Sequence, residues 1–208
     1  MPINAYDELS GFHLDVLKEL GSIGSGNAAT ALSSLLDQKI AMTVPEVSIL
    51  GNNEAVTRLG GPEKIVAAIL VSFSSSINGL ILYLQSLDYI NNILHGTIGV
   101  KVSDFLELDE IGISALTEMG NIVISSYINA ISSLAGLKIE LSPPAITVNM
   151  LGAVMSVPMT EFGYETDKLM LIDGNIVFDG RPVESNLIMM PDVTSLNTIL
   201  NKLGVLSE

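Results

Sequence analysis

Two stretches of the chain place an apolar or small residue at every third or fourth position. In the first, Leu17, Leu20, Gly24, Ala28, Ala31 and Leu35 share one side of a helix turning about 100° per residue, while Asp15, Glu19, Ser22, Gly26, Ala29 and Ser33 share the other. In the second, Leu116, Met119, Val123, Tyr127, Ala130 and Leu134 point one way and Ser114, Glu118, Asn121, Ser125 and Ser132 the opposite way. The pattern predicts two long helices, each with one face turned to a core, and Gly24 and Ala28 would let the first sit close to a sheet. Elsewhere the apolar residues run together in short blocks, which predicts strands over 39–50, 64–73, 79–84, 138–150, 168–172 and 186–190. Asn78-Gly79 predicts a hairpin turn, and Asp173-Gly174 and Asp179-Gly180 predict further turns. Short helices are expected over 88–94 and 194–200.

The two helical stretches are copies of one another. A shift of 99 residues lays Glu19 on Glu118, Gly21 on Gly120, Ile23 on Ile122, Ser33-Ser34-Leu35 on Ser132-Ser133-Leu134, Lys39-Ile40 on Lys138-Ile139 and Pro45 on Pro144. Two copies at so long a period predict a duplicated domain, not a solenoid. Each copy reads as long helix, strand, strand pair, short helix. The expected fold is α/β of the α+β type: one domain of two repeats, about 10–95 and 109–201, joined through 96–110. Its two long helices lie on a mainly antiparallel sheet about a pseudo-twofold axis.

Composition narrows the choice of partners. Nine basic residues stand against 23 acidic ones, for a net charge of −14. Such a chain repels nucleic-acid phosphates and anionic lipid. It has no cysteine, which removes disulfides, thiolate nucleophiles and cysteine metal sites and fits a reducing compartment. No apolar leader opens the chain, and the apolar span 65–84 is broken by Ser72, Ser74, Ser75, Ser76 and Asn78, so it reads as a hairpin and not as a membrane helix. A cytoplasmic protein is expected.

The glycines of "GSIGSG" (21–26) suggest a phosphate loop at first sight. Their spacing matches neither dinucleotide nor P-loop signatures, no Lys-Ser/Thr follows, and they fall inside a helical periodicity. The polar helix faces are more informative. They lack Lys and Arg and carry one Glu, an amide or hydroxyl three residues later, then small side chains. With only His13 and His95 present, no Ser-His-Asp set or zinc spacing exists, and no aromatic platform suits a sugar. An Asn amide can accept from and donate to a water at once, and so aim it. Aiming water in line is much of the task in phosphoryl transfer once a metal neutralises the phosphoryl group. A carboxylate one turn away could pair with a partner's cation. This would be half a site, completed by a bound phosphoprotein.

Both stretches resemble the CheC/CheX/FliY family of chemotaxis phosphatases, whose motif is Asp or Ser, three residues, Glu, two residues, Asn, twenty-two residues, Pro. Ser114, Glu118, Asn121 and Pro144 fit it fully; Asp15, Glu19 and Pro45 fit it, with Ser22 in place of Asn. "GSGNAATALS" is similar to the CheC branch, and the duplication and length favour that branch over the shorter CheX and the longer FliY. The resemblance implies hydrolysis of the aspartyl-phosphate of CheY, with Asn121 orienting water and Glu118 docking the partner. Glu19 and Ser22 would form a weakened second site. It implies no cofactor or metal of the chain's own, Mg²⁺ arriving on CheY, and CheD, a receptor deamidase, as a further partner. A CheD-binding adaptor or phospho-CheY sink with little catalysis, and a structural flagellar-switch part, are the competing expectations.

Overall fold

A computed structural model describes residues 2–162 and 167–206. After a 3-10 turn at Tyr6–Glu8 come α1 (Gly11–Leu36), β1 (Ile40–Met42), β2 (Glu46–Gly51), α2 (Asn52–Arg58), β3 (Ile65–Ser75), β4 (Gly79–Gln85) and α3 (Leu87–Ile98). The same order then recurs: a 3-10 turn at Phe105–Glu107, α4 (Glu110–Ala135), β5 (Ile139–Leu141), β6 (Ala145–Met150), α5 (Leu151–Phe162), β7 (Lys168–Phe178), β8 (Arg181–Pro191) and α6 (Val193–Lys202). The long helices are held at their ends by local chemistry. Ser10 Oγ accepts the His13 N–H while His13 Nδ1 accepts the Ser10 N–H, a reciprocal cap. Asp109 Oδ1 accepts the Gly112 N–H at 2.8 Å at the start of α4. Left-handed residues, Asp37 and Gly136, stop the two helices.

All described strand pairings are antiparallel, in an eight-stranded sheet ordered β1-β7-β8-β4-β3-β5, with β2 also on β7 and β6 also on β3. The centre is β4 against β8, where Tyr83 faces Leu187 and Leu82 faces Ile188. The short strands of each half cross over to edge the hairpin of the other half. Neither half therefore completes its own sheet edge, and the two interlock through backbone hydrogen bonds.

The sheet is covered on both faces. One face carries α1 and α4, with α3 and α6 beside α4, over a core that includes Ala67, Ile69, Val71, Tyr83 and Ile172. The other carries α2 and α5 over Val66, Ala68, Leu82, Leu84, Leu171 and Ile188. Alternate residues of β3 thus enter different cores, which is why it reads as one continuous apolar block. The sequence pattern had not indicated α2 or α5. They are short, and α5 contains Pro158, so neither shows a long amphipathic period.

Several expectations need correction. β7 runs straight through Asp173-Gly174, paired on both sides, so no turn lies there; the hairpin turn is at Asp179-Gly180, both with positive φ. The predicted strands 39–50 and 138–150 each break in two before a proline, with Pro45 and Pro144 immediately preceding β2 and β6. Leu35 and Leu134 are exposed, Ala31 is half-buried and Ala29 is buried. The buried line instead follows i+4 steps to Leu32 and Leu36 in α1, and to Ile131 and Ala135 in α4. A stripe stepping by four drifts around the helix, as expected where a helix crosses a neighbouring helix at an angle. The span 65–84 is the β3–β4 hairpin, as expected. By length and composition alone α4 could cross a membrane, but here its apolar face packs on α1 and the sheet.

Candidate active site

The polar faces of α1 and α4 look outward from the helical layer. On α4, Ser114 and Glu118 are exposed and Asn121 is half-buried; on α1, Asp15 and Glu19 are exposed and Ser22 is half-buried. Glu and amide, or Glu and hydroxyl, stand one turn apart on each face, as the spacing requires. Among the described residues, Glu118 and Asn121 make no side-chain hydrogen bond or ion pair. Both keep their full hydrogen-bonding capacity for something outside the chain. Ser22 differs: its hydroxyl donates to the Lys18 carbonyl at 3.0 Å. Its single proton is used within the helix, leaving only lone pairs facing outward.

The residues preceding these two explain how they are placed. A Cβ on Gly21 would lie 3.2 Å from Pro45 Cγ and 3.7 Å from Ile172 Cγ2. A Cβ on Gly120 would collide with Ile69 Cδ1 and approach Gln85 Nε2. Each glycine lets its helix rest on the sheet directly beneath the turn that carries Ser22 or Asn121. The role of Gly120 was not anticipated from the sequence; a glycine on the buried side of an otherwise apolar helix was the available signal. Pro45 is buried under Gly21 and acts through packing, while Pro144 is half-buried at the matching place before β6.

Gly24, expected to meet the sheet, instead meets α4: its Cβ would sit 2.8 Å from the Tyr127 ring and 3.0 Å from Tyr127 Cα. At the same crossing Ser25 Oγ lies 2.8 Å from the Gly21 carbonyl and 2.6 Å from Tyr127 Oη. Since the Ser25 proton goes to the carbonyl, the Tyr127 hydroxyl is the donor to Ser25. Burial pushes the Tyr127 phenol up, against the smaller opposite effect of this bond. Gly26 has open space around it. The three glycines of "GSIGSG" are thus interior helix positions: two permit close packing and the third is exposed. The crossing fixes the helices side by side, so both polar faces belong to one rigid layer.

Comparison with known proteins gives the family and the fold. The family model described as the CheC-like family matches twice, over residues 12–49 and 111–148, the same 99-residue offset that relates the motifs. The CheY-P phosphatase CheC of Bacillus subtilis is 31% identical over 196 residues, covering 92% of this chain and 93% of the relative. The flagellar motor switch phosphatase FliY of the same organism is 32% identical over 143 residues, which is 67% of this chain and 36% of FliY. The crystal structure of Thermotoga maritima FliY superposes with a TM-score of 0.76 at 22% identity, covering 95% of this chain and 98% of that one. The fold is that of the FliY structure, a CheC-like fold. The chain belongs to the CheC-like family.

Proposed function

We propose that the protein hydrolyses the aspartyl-phosphate of phosphorylated CheY, with Asn121 and Glu118 as its working residues. The carrying observation is that these two side chains stand one turn apart on an outward face with no partner in the chain. The names of the relatives, CheY-P phosphatase and motor switch phosphatase, point the same way. Glu118 pairs with a cation of the regulator's site and sets the docking register. Asn121 accepts a hydrogen bond from a water and holds it in line behind the phosphorus. The water oxygen bonds to phosphorus as the bond to the aspartyl oxygen breaks. The carboxylate leaves, inorganic phosphate forms, and the water proton passes to phosphate oxygens or solvent, since an amide is no base. Mg²⁺ belongs to the regulator in this reading; its chemistry is to neutralise the phosphoryl oxygens.

The two repeats, about 10–95 and 109–201, form one domain with a site on each long helix. The first site, Glu19 with Ser22, is the weaker, because the Ser22 arm is shorter and its proton is committed to Lys18. The protein works in the cytoplasm, where the regulator is phosphorylated, and CheD remains a candidate second partner on the resemblance alone. The deciding experiment follows phosphate release from radiolabelled phospho-CheY at saturating Mg²⁺. Wild type accelerates release, Asn121→Ala removes most of the effect, and Glu118→Ala chiefly raises KM. A wild-type chain that binds phospho-CheY without accelerating its decay would support the adaptor reading instead.

A further inference from the structure

We propose that Ile111, and Phe12 at the matching place in the first half, are apolar anchors for the phosphorylated response regulator, extending each polar site toward its helix N-terminus. The inference rests on the phosphatase reading above. Phe12 and Ile111 are each the second residue of their long helix, and they are 63% and 64% exposed. Neither helps its helix there: the first turn favours acidic side chains, and aromatic and β-branched residues are middling helix formers.

A single exposed apolar side chain means little on a protein surface. What distinguishes these two is register. Steps of three, four and three residues lead from Ile111 through Ser114 and Glu118 to Asn121, and from Phe12 through Asp15 and Glu19 to Ser22. At about 100° and 1.5 Å per residue, each set stays within one face. The anchor then lies about 10 Å from the Glu and about 15 Å from the Asn or Ser along the axis. That span fits inside a standard interface patch of roughly 800 Å² per partner. The other matched pair of exposed apolar residues, Leu35 and Leu134, is 23 residues further on and about 140° round the helix, off this face.

The occupant follows from continuity and charge. The face offers carboxylates, Glu118 or Asp15 and Glu19, to a partner that presents a cation beside its phosphoryl group. Exposed charge pairs steer encounter and orientation but hold weakly. A desolvated apolar contact beside them supplies the residence that in-line attack requires. Ile111 is thus a positioning residue and takes no part in the bond changes.

The test uses the full chain with Ile111→Ser, Phe12→Ser and, as control, Leu134→Ser. Two measurements are made: steady-state hydrolysis over a range of phospho-regulator concentrations, and calorimetric binding of the regulator activated with beryllofluoride. Ile111→Ser is expected to raise KM and weaken binding about tenfold, with kcat and melting temperature unchanged. Leu134→Ser is expected to leave hydrolysis and binding within about twofold, and Phe12→Ser to weaken calorimetric binding of the activated regulator at the first helix. Unchanged KM and binding in a folded Ile111→Ser variant would overturn the proposal, as would a fall in kcat alone or an equal loss in Leu134→Ser. If wild type binds the activated regulator but does not hydrolyse, the phosphatase reading fails while the binding data still decide the anchor. If it does not bind, both fail.

Discussion

The two halves share one element order but fill equivalent places with different chemistry. In the first, Arg58 of α2 bonds Asp173 at 3.0 Å and Ser48 at 3.2 Å and ion-pairs with Glu46 at 3.4 Å, across the Glu46–Asp173 strand pair. In the second, the matching strand pair is Ala145–Leu70, and the residue 99 positions after Arg58 is Val157, 45% exposed. There the same place is an apolar groove also lined by Ser72, Leu80 and Pro143. On the opposite face, the second half keeps a free Asn121 where the first has a self-bonded Ser22. The two halves keep the same order of elements and matching strand exchanges, while the exposed positions of each copy diverge. A duplicated fold therefore does not imply duplicated function.

The sharpest way to break the comparison is at the functional turns. Asn121→Ala is expected to lower the rate of phospho-CheY hydrolysis about a hundredfold, and Ser22→Ala to change it less than about twofold, because an unaimed water sits off the line of attack. The initial rates of the two variants decide it, and the reverse ranking would move the work to the first half and overturn the assignment to Asn121.

The join between halves should show itself in alkali. Tyr83 of β4, opposite Leu187 of β8, has its phenol pushed by burial up to about 12, against the smaller opposing effect of its hydrogen bond with Ser185. A raised pKa favours the neutral form in the folded state, so this stabilisation is complete below the unfolded value near 10 and is lost as pH climbs towards about 12. Urea titrations are expected to show stability falling across that window, and Tyr83→Phe to remove about 2 kcal/mol of the fall, the remainder coming from Tyr89 and Tyr127, whose phenols burial also raises.

Gly24→Ala is expected to cost about 2 kcal/mol, since the new methyl meets the ring and backbone of Tyr127. Gly26→Ala, in open space, is expected to be neutral or slightly stabilising. Thermal melts of the two variants separate the packing glycine from the exposed one. Equal shifts would mean that the helix crossing is looser than drawn.

Arg58→Ala should be the smallest effect, within about 1 kcal/mol by denaturant titration, because its ion pairs are open to solvent. A larger loss would mark this charged cluster as structurally necessary to the first half in a way that the second half does without.

The sequence by itself determined the two long helices, the 99-residue duplication, the β3–β4 hairpin and the outward placement of Glu118 and Glu19. Each of these depends on local periodicity or on direct comparison of one stretch with another. Tertiary structure decided the rest. The exchange of β1–β2 and β5–β6 between halves is a non-local pairing, and no short-range pattern encodes which hairpin a short strand will edge. Asp173-Gly174 has the composition of a turn, yet pairing with β2 on one side and β8 on the other holds it extended. Leu35 and Leu134 fit a straight stripe, and only the crossing of α1 over α4 turned burial toward Leu36 and Ala135. The inequality of the two sites was half legible: the sequence supplied Ser22 for Asn. That the Ser22 proton is held by Lys18 while Asn121 stays free depended on side-chain geometry, which residue spacing does not contain.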